Sequence, residues 1–286
     1  MNPRLSKGTQ PPVYIEKRKS GHSHKKCYLG FTKGCSDKIS GEHYISRSLL
    51  NLIEKHNKTI DVSGLSWLPK GHIKSIGKSS LEANILCTYH NSKLSPFDTE
   101  IEKFVSAIFS IDKDFIGDSS VEHKYFVDGT YIERWIMKTI VGMIKSNQII
   151  KGPGSSFGYR NKVLDLICSS TVRYPSGWGL YFSRTGIIHH SSSFELIPKY
   201  DIINNEVLAL GLKFNGFEMH FLMGARLLNL KEYGIYRPRK MIFKKGSVSS
   251  EVNFNWKNHK VGDDVVYSYI DKYSGPSPDH NLPRWK

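Results

Sequence analysis

Cys87 and His90 stand two residues apart, Asn91 follows directly behind them, and the dipeptide Glu42-His43 lies upstream. A thiolate and an imidazole at that spacing can converge on one tetrahedral zinc ion, and an amide oxygen can ligate a hard cation. Glu42-His43 adds a carboxylate beside a base. These are the parts of a metal-dependent phosphodiesterase. Two more zinc ligands must come from elsewhere, and Cys27 and Cys35 are available. A Cys3His site would staple a module whose loops leave it only a modest core. The competing reading is buried free cysteines beside an unrelated histidine.

The elements that must carry these residues follow from periodicity. Residues 27 to about 45, with Gly30, Gly34 and Gly41 among short apolar stretches, suit a two-stranded ribbon ending in Glu42-His43-Tyr44-Ile45. Leu49, Leu50, Leu52 and Ile53 share a helical face, and Thr59 to Ile76 suits a hairpin insert containing Trp67. Ser95-Pro96 is expected to open a helix with the stripe Ile101, Phe104, Val105, Ile108 and Phe109. Ile132, Trp135, Ile136, Thr139, Ile140, Met143 and Ile144 predict a second, clearer helix. Lys151-Gly152-Pro153-Gly154 breaks the chain, and the period then falls to two. Leu208 to Phe214 and Phe217 to Met223 alternate around Asn215-Gly216, which predicts a hairpin. Further strands are expected around 179–189, 194–197, 241–244 and 265–270.

The expected fold class is therefore α+β. A basic arm at 1–26 precedes a module at 27–111, a linker with a long helix at 112–150 and a mainly antiparallel β-rich domain at 151–286. Adjacent His189-His190 would point to opposite faces of a strand and make a poor paired site. Cys168 reads as core.

The 286 residues carry a formal net charge of +15, with 39% hydrophobic and 12% aromatic residues. That charge excess favours a polyanionic partner, and nucleic acid fits better than a membrane because no basic amphipathic helix is visible. Arg4, Lys7, Lys17, Arg18, Lys19, Lys25 and Lys26 are opposed only by Glu16, which reads as a flexible arm for phosphate contact or for solubility. Tyr233, Tyr236, Arg237, Arg239 and Lys240 suit either base stacking with phosphate contact or a core edge with a basic rim. The absence of a secretory start and the low cysteine count favour a cytoplasmic protein.

The runs Ser40-Gly41-Glu42-His43-Tyr44-Ile45-Ser46 and Asn84-Ile85-Leu86-Cys87-Thr88-Tyr89-His90-Asn91 resemble the HNH nucleases, whose fold is the ββα-metal finger. The likeness is to the subgroup with zinc-binding pairs and a final asparagine, and it covers roughly residues 25 to 110. It implies that His43 is the general base, that Asn84 orients it, and that Asn91, with Glu42 and an outer Asp98, holds catalytic Mg2+ or Mn2+. Zinc would sit on Cys27, Cys35, Cys87 and His90. The seven residues between Cys27 and Cys35, and His90 in place of a last cysteine, depart from the family pairs, and His22 or His24 could replace one ligand. Lys25, Lys26, Arg47 and Lys93 are the expected nucleic-acid contacts. DNA is the expected substrate, with RNA an alternative, no membrane partner, and a homodimer if both strands are cut. The rival expectations are a non-catalytic zinc-stapled nucleic-acid-binding protein and a nuclease gated by a ligand-sensing C-terminal part.

Overall fold

The computed structural model describes residues 12–55, 59–63, 65–69, 71–149, 160–183, 187–188, 193–200, 207–223, 233–257 and 261–270. The first half holds β1 (Ile39–His43), α1 (Arg47–Lys55), β2 (Thr59–Ser63), β3 (Ile73–Ile76), β4 (Glu82–Cys87), α2 (Thr88–Ile116), β5 (Lys124–Asp128) and α3 (Gly129–Lys145). The second holds α4 (Arg160–Cys168), β6 (Gly179–Phe182), β7 (Ile187–Ile188), β8 (Ser193–Tyr200), β9 (Val207–Phe214), β10 (Phe217–Leu222), β11 (Ile235–Tyr236), β12 (Lys240–Lys245), β13 (Val248–Asn255) and β14 (Val265–Tyr269).

The expected ribbon is non-local. β1 pairs antiparallel with β4, some forty positions on, with His43 opposite Glu82 and a bulge between Ser40 and Glu42. The residues between Cys27 and Cys35 instead make a short 3-10 turn at Gly30–Thr32. β4 then runs straight into α2, so Cys87 caps the helix that carries His90 and Asn91.

α2 begins at Thr88 rather than at Ser95-Pro96, and Pro96 lies inside it. Proline cannot donate to the carbonyl one turn back, which normally ends a helix. Here the Ser95 hydroxyl donates to that carbonyl, Ser92 O, at 2.8 Å, and the helix continues. α3 also exceeds its stripe, because every residue from Gly129 to Ile144 is buried, Glu133, Arg134 and Lys138 included. Its approach to the β1 end is close: a Cβ on Gly142 would stand 2.4 Å from Tyr44 Cβ.

Two larger sheets complete the molecule. A seven-stranded sheet runs β11-β6-β10-β9-β8-β2-β3, and a five-stranded sheet runs β5-β13-β12-β14-β7. The β9–β10 hairpin turns at Asn215-Gly216 with φ of 49° and 70°, as two-residue hairpins require. Aromatic rings join the sheets: Phe182 meets Phe254 at 5.2 Å, Phe217 meets Tyr267 at 5.7 Å, and Phe104 of α2 touches Phe182, Phe214, Phe217 and Phe254.

The expected antiparallel pairing of the C-terminal strands holds for β6–β10, β9–β10, β6–β11, β8–β9 and β12–β13, and parallel pairs join them to the rest. β2 of the first half pairs parallel with β8, and β5 pairs parallel with β13, so both sheets recruit strands from before residue 150. β12–β14 and β14–β7 are parallel as well. One apolar core runs through both halves, because α2 and α3 are covered by strands from each. β5, β13 and α4 lay outside the expected elements, although Ser250, Val252 and Phe254 alternate inward along β13. The basic arm is docked from residue 12 onward: Val13 and Ile15 are buried, Ile15 N–H donates to Cys168 O, and Lys17 pairs with Asp165 at 2.5 Å. Arg4, Lys7, the Gly152-Pro153-Gly154 break and His189-His190 lie outside the described residues.

Candidate metal centre and adjoining cleft

Cys27, Cys35, Cys87 and His90 converge, with all four ligand atoms within 4.8 Å of one another. His90 Nδ1 lies 3.4 Å from Cys27 Sγ, 3.7 Å from Cys35 Sγ and 3.2 Å from Cys87 Sγ. Zinc bonds of ordinary length in a tetrahedron place sulfur and nitrogen about 3.6 Å apart, so the donor set fits. Cys27, Cys87 and His90 are buried.

The outer partners decide which imidazole nitrogen is available. Thr32, fully buried, donates its hydroxyl proton to Leu29 O at 2.8 Å. Its oxygen therefore accepts from His90 Nε2–H, 2.9 Å away, which leaves Nδ1 unprotonated and aimed at the three sulfurs. Burial, with Arg18 nearby, holds the imidazole pKa down to about 4, so it is neutral and able to ligate. Burial pushes the Cys27 thiol up to about 12 and raises Cys35 as well. For Cys87 burial pulls the same way, but the His90 N–H in the first turn of α2 and the Ser36 hydroxyl outweigh it and lower its pKa. A metal binding here would release protons from the thiols. The cluster can hold a metal such as zinc. His22 and His24 stay outside it: His22 Nε2 faces Asp37 at 3.4 Å, and His24 Nδ1 accepts from Lys26 N–H.

Beside this cluster lies an open cleft of about 470 Å³, lined by residues that include Glu42, His43, Arg47, Glu82, Asn91 and Asp98. The β1–β4 pair places His43 against Glu82, with Nε2 3.6 Å from Oε2. Asn91, one residue after His90, donates its amide N–H to Ser40 Oγ at 3.1 Å, a bond that does not use the amide oxygen. Asn84 is exposed on β4 and lies outside the cleft lining.

The two carboxylates expected to hold a catalytic cation have another partner. Lys138, reaching in from α3, places Nζ 2.7 Å from Glu42 Oε1 and 2.7 Å from Asp98 Oδ2. Asp98 Oδ1 also accepts from Lys138 at 2.9 Å and from Ser46 Oγ at 2.7 Å, and Ser46 in turn accepts from Trp135 Nε1. Burial raises the Glu42 carboxyl while Lys138 opposes it, and both carboxylates raise the ammonium despite its burial. At 2.7 Å, with the lysine between two acids, the group is an ion triad. A divalent ion on Glu42 and Asp98 would compete with this ammonium, whereas Asn91 lines the cleft apart from the triad.

No family model, characterised protein or solved structure matches the chain.

Of the expected nucleic-acid contacts, Arg47 is exposed on the cleft wall, and Lys93 is exposed on α2 with its ammonium 5.8 Å from the Tyr89 ring centroid. Lys25 and Lys26 are exposed next to Cys27. The Tyr233–Lys240 stretch takes the core-edge alternative. Arg237 is buried on Glu133, Arg239 pairs with Asp264 and Lys240 with Glu251. Sequence reasoning missed Thr32, Glu82 and Lys138, since none has a motif spacing to announce it.

Proposed function

We propose that the chain is a metal-dependent endonuclease of the HNH type that hydrolyses phosphodiester bonds in DNA. Its ββα unit would be stapled by zinc on Cys27, Cys35, Cys87 and His90. The observation that carries this reading is a single cleft that both His43, on the strand β1, and Asn91, at the start of α2, line beside the Cys3His cluster.

His43 takes a proton from water and directs the resulting nucleophile at phosphorus, with Glu82 3.6 Å from its Nε2 to steady the imidazole. Asn91, held by Ser40, presents its amide oxygen to Mg2+ or Mn2+. When bound, that ion offsets charge on the scissile phosphate and on the leaving oxygen. Arg47 on the cleft wall and the overall charge of +15 draw in the phosphate backbone.

A plasmid-nicking assay with Mg2+ or Mn2+ tests the reading. His43→Ala is expected to lose cleavage while retaining its circular dichroism spectrum and zinc content, and full activity in that variant would sink the assignment. The engagement of Glu42 and Asp98 by Lys138 favours one alternative, a zinc-stapled nucleic-acid-binding protein without catalysis. Tight DNA binding with no strand scission under either metal selects it.

A further inference from the structure

We infer that Lys138 serves as a built-in counter-ion for Glu42 and Asp98, so that both carboxylates position the cleft floor and neither ligates the catalytic cation. The inference rests on the nuclease reading of the cleft and revises its ligand set.

Three observations carry it. The first is occupancy. Lys138 Nζ donates to both oxygens of Asp98 and stands 2.7 Å from Glu42 Oε1 as an ion pair, so three carboxylate oxygens surround one ammonium. A cation bridging Glu42 and Asp98 would need the space this ammonium fills.

The second is burial. The Lys138 and Glu42 side chains are 2% and 5% exposed. A divalent ion taking the ammonium's place would have to shed much of its water shell to enter a largely dry setting, which costs more than binding at a water-exposed ligand. The Asp98 side chain, at 19%, is the most exposed of the three, and its Oδ1 is also taken up by Ser46.

The third is delivery. Lys138 lies one helical turn before Gly142, where α3 packs so closely on Tyr44 that a Cβ would stand 2.4 Å from the tyrosine Cβ. Trp135, three residues before Lys138, donates to Ser46, whose hydroxyl donates to Asp98. One face of α3 therefore fixes the ends of β1 and α1 and the first third of α2 at once. Lys138 is a positioning residue that reaches the cleft from outside the ββα unit.

The test titrates Mn2+ into the zinc-loaded full-length protein and follows free Mn2+ by electron paramagnetic resonance, so that no readout depends on turnover. Glu42→Gln, which keeps an oxygen for Lys138, is expected to bind Mn2+ within about threefold of wild type, whereas Asn91→Ala weakens it by about tenfold or more. Lys138→Met leaves Glu42 and Asp98 without their cation and is expected to take up an additional Mn2+. A loss of about tenfold in Glu42→Gln makes that carboxylate a ligand and overturns the inference alone. A folded Lys138→Met, with unchanged zinc content, that takes up no further Mn2+ also overturns it. Should that variant not fold, the Glu42→Gln titration decides. A wild-type protein that binds no Mn2+ removes the nuclease reading, and the inference with it.

Discussion

Thr32 has no place in any metal motif, yet it determines what His90 can do. Its hydroxyl donates to Leu29 O, so its oxygen can only accept from His90, and the imidazole presents an unprotonated Nδ1 to the three sulfurs. Thr32→Val removes the acceptor and leaves a buried ring N–H without its partner. Zinc affinity, measured by competition with a chromophoric chelator, is expected to fall by about 10- to 100-fold. Cys87→Ser removes one of the four candidate ligands, and both its zinc content and its melting temperature should drop. Asn91→Ala, one residue from His90, should keep its zinc and its fold while losing cleavage. That Cys87 and His90 could ligate one ion together was legible in the sequence because ligand types and spacings are local facts. Thr32 was not, because it comes within reach of His90 only across 58 residues.

Pro96 is the informative position among the elements. Read alone, Ser95-Pro96 marks a helix start, because proline lacks the N–H that an interior residue donates. The helix instead begins eight residues earlier, where Cys87 and His90 are pinned into one cluster, and the Ser95 hydroxyl supplies the missing donor to Ser92 O. Ser95→Ala is therefore expected to cost about 1 kcal/mol in the presence of Pro96, and much less in a Pro96→Ala background, where the restored backbone N–H satisfies the same carbonyl. Urea denaturation of the four proteins checks this, and equal costs in both backgrounds would refute the substitution of donor for donor. The β9–β10 hairpin shows the opposite case. Alternation and Asn215-Gly216 specify it completely, since the turn and its register are both local.

At the scale of the whole molecule, α3 is the hub. Its apolar stripe marked it as a helix, but the same helix also carries Glu133, Arg134 and Lys138. All three are buried. Glu133 takes Arg237 in a two-pronged pair at 2.7 and 2.9 Å and accepts Leu180 N–H at 2.9 Å, tying α3 to the edge of the seven-stranded sheet. Glu133→Gln is expected to cost about 3–5 kcal/mol, because it strands a buried guanidinium. Adding Arg237→Met removes the stranded charge and should recover most of that loss in the same denaturation measurement. Sequence by itself determined the α+β class, the helical stripes, the hairpin and the candidate zinc ligands, all of which depend on residue type and local pattern. Only the tertiary structure decided that the two halves share their sheets, that the zinc candidates meet, and that Glu42 and Asp98 face a lysine rather than open solvent. Those outcomes depend on which distant strands and helices pack together. Burial then dictates the partners, since a charge removed from water must find an opposite charge wherever the chain can bring one.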